Sequence, residues 1–99
     1  MQSTKQIEII PWPSIEVQEN FQFEAVTSGG NFIFQFKWLN DKWYLWVTLP
    51  TGEVRQASVY PNVISWSGFN DYGLMIQSSM ESIDYSSLFL AEIYLLTWQ

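Results

Sequence analysis

Between Asn31 and Leu39 every second residue is a large ring. Phe32, Phe34, Phe36 and Trp38 fall on one side, and Ile33, Gln35 and Lys37 on the other. Side chains alternate across a strand but wind around a helix, so this spacing predicts a half-buried β-strand. The preceding stretch repeats the logic, with Phe21, Phe23 and Ala25 opposed to Gln22 and Glu24. Ser28-Gly29-Gly30-Asn31 supplies the positive-φ residues of a tight turn, so strands over 20–27 and 31–39 are expected to pair as an antiparallel hairpin.

Leu39-Asn40-Asp41-Lys42 is a second turn signal, because Asn and Asp bond their own backbone and tolerate the left-handed region. The strand that follows, 43–49, sets Trp43, Leu45, Val47 and Leu49 against Tyr44, Trp46 and Thr48. Apolar or aromatic on both sides, it is predicted to be central or covered. Pro50-Thr51-Gly52 turns the chain again into the more polar 53–60, whose apolar contributions are Val54 and Val59 and which reads as an edge. Residues 60–66 fit a helical turn or a strand, and 67–73 a turn-rich loop. Leu74, Met75 and Ile76 form a short apolar run, 81–87 a polar connection, and 90–98 a closing strand apolar on both faces. Near the start, 6–10 is a short strand ended by Pro11 and Pro13, with 14–18 as its continuation. Six to seven short strands with little helix predict a single all-β domain over 1–99, a small antiparallel β-barrel or a two-layer β-sandwich.

Composition narrows the chemistry. The 99 residues include ten acidic and four basic side chains, for a net charge of −6, and neither Cys nor His. Disulfides and thiolate metal sites are excluded, and the commonest general base and zinc ligand is missing. Lys5, Lys37, Lys42 and Arg55 make no basic stripe, so no nucleic-acid partner is expected. The amino-terminal MQSTKQIEIIPWPS is interrupted by Glu8 and two prolines, and no run approaches the length of a spanning helix. A soluble protein made without a leader, with no membrane partner, is the expectation.

Asp71, Glu81 and Asp84 lie in irregular segments and are the carboxylates that general acid-base chemistry would use. Their spacing is not diagnostic, and solvated loop charge is the better account of them. Ser28-Gly29-Gly30-Asn31 joins two strands and is not followed by Lys-Ser/Thr, so it is not a phosphate cradle. No calcium loop is present. The expectation is a protein with no catalytic residues, no metal and no cofactor.

Six Trp, five Tyr and seven Phe are the strongest compositional signal. Each ring offers about 150–250 Å² of burial, so most belong to the core. A domain this small has no room to bury both faces of 43–49 and of 90–98, so some rings are expected at a protein interface. Trp12, Trp46, Tyr60, Trp66, Phe69 and Tyr72, off the inferred inward face or in irregular segments, are the expected contacts. The alternative is a carbohydrate-binding module, with a flat sheet carrying Trp43, Trp46 or Trp66.

The run NFQFEAVTSGGNFIFQFKWLNDKWYLWVTLPTGE, introduced by IEIIPWPS and closed by LAEIYLLTW, resembles the baseplate plug proteins of contractile-tailed bacteriophages, of the cyanophage type. The similarity spans about residues 7–98. It rests on the strand ending at Pro11, the aromatic strand through Phe34 and Phe36, the turn into Trp43-Tyr44-Leu45, and the Thr51-Gly52 turn. Ser87-Leu88-Phe89 stands where the family pattern has an acidic residue followed by Leu-Gly. The resemblance implies a non-enzymatic virion protein made in the host cytoplasm. Seated in the tail baseplate against tube, hub and other baseplate proteins within a large assembly, it would help to close the tube lumen before contraction.

Overall fold

A computed structural model describes residues 4–98, with side chains from Gln6 onward. The first residues of the stretch read as leaderless, and the side chain of Lys5, lie outside the described residues. Eight strands are present among the described residues: β1 (Thr4–Ile10), β2 (Asn20–Thr27), β3 (Gly30–Leu39), β4 (Lys42–Thr48), β5 (Val54–Ala57), β6 (Ile64–Ser65), β7 (Tyr72–Gln77) and β8 (Glu92–Trp98). A 3₁₀ helix, Tyr85–Leu90, precedes β8.

The strands form two four-stranded antiparallel sheets, ordered β1-β8-β7-β6 and β2-β3-β4-β5. They do not join into one closed sheet, so of the two expected architectures the sandwich is the one observed. The second sheet is a meander of consecutive hairpins, because its turns have the right residues. Asn40 and Asp41 hold φ of 52° and 60°, as a two-residue turn requires. Gly30 sits at φ 120°, and a β-carbon there would lie 2.9 Å from the Pro50 ring, so both backbone angle and space demand glycine.

One contiguous core fills the sandwich. Phe32, Phe34 and Phe36 are fully buried from β3, with Leu45 and Val47 from β4, facing Leu74, Ile76, Ile93 and Leu95 from the other sheet. At one open end the chain crosses between the sheets through 11–19, which is irregular and does not continue β1. This segment is held down by Tyr85, whose hydroxyl donates to the Val17 carbonyl at 3.1 Å. The 3₁₀ helix closes that end by inserting the buried Leu88. Residues 85–90 are thus structural filling where a polar connection was expected over 81–87.

β5 is the expected polar edge strand, yet one of its two inward residues is charged, the other being Ala57. Arg55 is buried and bonds Glu53 at 2.7 Å and Asp71 through two contacts of 3.0 and 2.7 Å. The guanidinium lies 3.9 Å from the Phe69 ring centroid. The hydrogen bond from Arg55 holds the Asp71 carboxyl below its ordinary range, against the opposing effect of burial. Asp71, in turn, raises the Arg55 pKa further above its ordinary value, with Glu53 contributing next. The pair joins the edge of one sheet to the loop that leads into β7 of the other.

Candidate functional site

Antiparallel pairing places directly opposite residues on the same face, so the register fixes what each sheet shows to its outer side. Across β1-β8-β7-β6 one row reads Ile9, Tyr94, Met75, Ile64, in register through all four strands. A neighbouring row reads Ile7, Leu96, Gly73. Ile7 and Ile9 are 59% and 60% exposed. Neither row contains a charged residue. A β-carbon at Gly73 would collide with the Trp98 indole, so glycine is what leaves room for that ring.

The outer face of β2-β3-β4-β5 differs in kind. Its corresponding row is Gln22, Gln35, Trp46, Gln56. Asn20, Lys37 and Tyr44 form the next row. The Tyr44 and Trp46 rings stack at 6.1 Å, and the Lys37 ammonium stands 5.7 Å from the Trp46 ring centroid. Both rings are half-buried, so β4 is interior to its sheet but only partly covered on this side.

Beside this face lies a cleft of about 420 Å³. It exists because β5 is short. Ala57, the last residue of β5, pairs with Leu45, which leaves Lys42, Trp43 and Tyr44 of β4 without a strand partner on that side. The chain then departs toward the other sheet, where the Ser58 amide donates to Ser65 Oγ at 2.8 Å. The far wall is residues 82–84, fastened by the Trp43 indole, whose Nε1 donates to the Asp84 carbonyl at 3.0 Å. Buried Trp43, Ala57 and Val59 lie at the bottom, with exposed Tyr60, Asp41 and Asp84 at the rim.

The six expected contact residues do not form one surface. Trp12 turns inward: its Nε1 donates to the Ala91 carbonyl at 2.7 Å, and its ring lies 4.8 Å from Phe89 and 5.3 Å from Phe36. Trp46 faces out from β4. Tyr60, 62% exposed, stands on the cleft. Trp66 and Phe69 are brought together over Arg55, with Trp66 Nε1 donating to the Gln56 carbonyl at 2.9 Å. Tyr72 packs edge-on against Phe32 at 5.0 Å. For the flat sugar platform, Trp43 is in the core and Trp66 lies on a loop, so the two rings and Trp46 do not share a plane of exposure. Of the carboxylates, Asp71 is engaged by Arg55, Glu81 is exposed, and Asp84 borders the cleft.

Sequence reasoning did not single out Ile7, Ile9, Ile64, Met75 and Tyr94. The available signal was the excess of apolar residues on both faces of the closing strand, which β1 and β7 extend once their register is known.

Among the described residues no three His, Cys, Asp or Glu side chains come together as a metal site. No helix among them is long and apolar enough to cross a membrane. Compared with protein-family models, with curated proteins and with solved structures, the chain gives no match.

Proposed function

We propose that this chain is a non-catalytic structural component of a contractile phage tail, a baseplate plug at the junction of tube and hub. In this reading it docks to neighbouring subunits through the outer face of β1-β8-β7-β6 and helps to close the lumen before contraction. The observation that supports docking is the uncharged row Ile9, Tyr94, Met75, Ile64, which spans the whole sheet of a protein with net charge −6. An apolar row at this scale is of the size that a monomer's largest patch, often a functional one, reaches. The tail assignment itself rests on the resemblance of residues 7–98 to the plug family.

Size favours an assembly over a simple pair. Three strand spacings of about 4.8 Å and about six residues at roughly 3.4 Å give the whole outer face an area of about 300 Å², of which the uncharged rows are only a part. A stable two-partner interface covers about 800 Å² on each side. A face this small therefore suits a piece held by several neighbours at once, each contributing part of the contact. The exposed Leu90 and Val26, 76% and 79% accessible and away from the row, are available for such further contacts.

The test is co-expression with the tail-tube and hub proteins encoded beside it, followed by isolation of the assembled complex. Wild-type chain is expected to co-purify with them, and Ile9→Lys with Ile64→Lys to be lost from the complex while remaining folded. A gene placed far from tail genes, or undiminished incorporation of the double variant, overturns the reading.

A further inference from the structure

We propose that the cleft beyond the end of β5 binds a neutral oligosaccharide, independently of the docking face on the other sheet. Its volume of about 420 Å³ is within the range of pockets that hold small ligands. The lining decides the class. Two rings, Tyr44 and Tyr60, offer apolar faces with polar tips. Asp41 and Asp84 supply acceptors only, Lys42 donors only, and Gln56 both.

That mixture discriminates between occupants. A wholly apolar ligand would match the floor of Trp43, Ala57 and Val59 but gain nothing from Asp41, Asp84 and Gln56, which are exposed and keep their water. A strongly anionic ligand would meet two carboxylates against one ammonium, and a cationic one would gain a single net charge at an exposed rim, where ion pairs contribute little. A sugar ring has what the site lacks on both counts: an apolar C–H face to lie on tyrosine, and hydroxyls that donate to Asp and Gln and accept from Lys.

The surface next to the cleft continues the same chemistry. Tyr44 stacks on Trp46, and Gln56 is the register neighbour of Trp46. Beyond it, Gln35 and Gln22 complete a row about 14 Å long across the sheet. Among the described residues none of these three amides makes a side-chain hydrogen bond within the chain. A ligand longer than one sugar ring would leave the cleft over Trp46 and meet amides that are free to bond it.

The experiment uses the full chain labelled with nitrogen-15 and follows its indole N–H signals, assigned by single Trp→Phe variants. Cellopentaose, maltopentaose, N-acetylchitopentaose and mannopentaose are titrated separately, alongside an oligogalacturonate and an oligolysine peptide. At least one neutral oligosaccharide is expected to shift Trp43 and Trp46 saturably, leaving Trp12 unmoved. Tyr60→Ala, at an exposed position, is expected to weaken that binding about fivefold, and Gln56→Ala to weaken it as well, with unfolding midpoints unchanged. The proposal is overturned if no neutral probe moves these indoles at about 10 mM. It is equally overturned if both variants bind as wild type, or if only the uronate or the peptide perturbs the cleft.

Discussion

The two sheets bury the same kind of core and show opposite surfaces to their surroundings. Ile9, Tyr94, Met75 and Ile64 cross one; Gln22, Gln35, Trp46 and Gln56 cross the other. The inward sides answer to one requirement, filling the space between sheets, and so resemble each other. Nothing in folding demands that the outer sides differ. An apolar row left in water gains nothing in the free chain; on the other sheet the outward apolar residues Ile33 and Val54 share their row with Glu24 and Thr48.

The contrast can be broken first at the core, where the largest effects lie. Phe36→Ala in β3 is expected to cost about 3–5 kcal/mol and Leu95→Ala in β8 about 2–5 kcal/mol, read from urea unfolding followed by tryptophan fluorescence. Both should lower a single shared midpoint. Two separated transitions in either variant would mean that the sheets are not one cooperative unit.

Arg55→Ala comes next, at about 1–3 kcal/mol. It removes a buried guanidinium with its charged hydrogen bonds, and the half-exposed Glu53 and Asp71 it leaves behind are partly rescued by water. The same contact carries a pH dependence. The Asp71 carboxyl is lowered in the folded chain, so its contribution is present above the ordinary carboxylate value of about 3.9 and is lost as pH falls through the folded value. Stability measured from pH 7 down to pH 3 should fall less steeply in Asp71→Asn than in wild type; equal slopes would remove Asp71 from the account.

The smallest expected effects are at the outer faces themselves. Ile9→Ser and Gln22→Ser are each expected to change stability by no more than about 0.5 kcal/mol. They should part company in binding of a hydrophobic dye, which falls for Ile9→Ser and is unchanged for Gln22→Ser. Equal dye binding by the two variants would erase the difference between the faces.

The sheet β2-β3-β4-β5 was legible in the sequence almost residue by residue, since its signals are local. The rings at 32, 34 and 36 alternate with Ile33, Gln35 and Lys37, and each turn carries its own Gly, Asn or Asp. Two features of the other sheet had no local signal. The pairing of β1 with β8 joins residues some ninety positions apart, and β6 is two residues long. Trp12, flanked by Pro11 and Pro13, was read as a contact because it lies off the inferred inward face or in an irregular segment. Those prolines instead carry the chain across the open end of the sandwich, where the indole falls onto Phe36 and Phe89. The cleft was not legible at all, because it arises from a mismatch in length between β4 and β5 that only the register exposes.

The pairing of β1 with β8 also fixes an order of events. β2 to β5 can zip into hairpins as soon as they are synthesised, whereas the row Ile9, Tyr94, Met75, Ile64 has no existence until β8 has left the ribosome and found β1. Until then the apolar surface a half-made chain exposes is the inner face of β2 to β5, with Phe32, Phe34 and Phe36 uncovered, and the outer row appears only as that face is sealed.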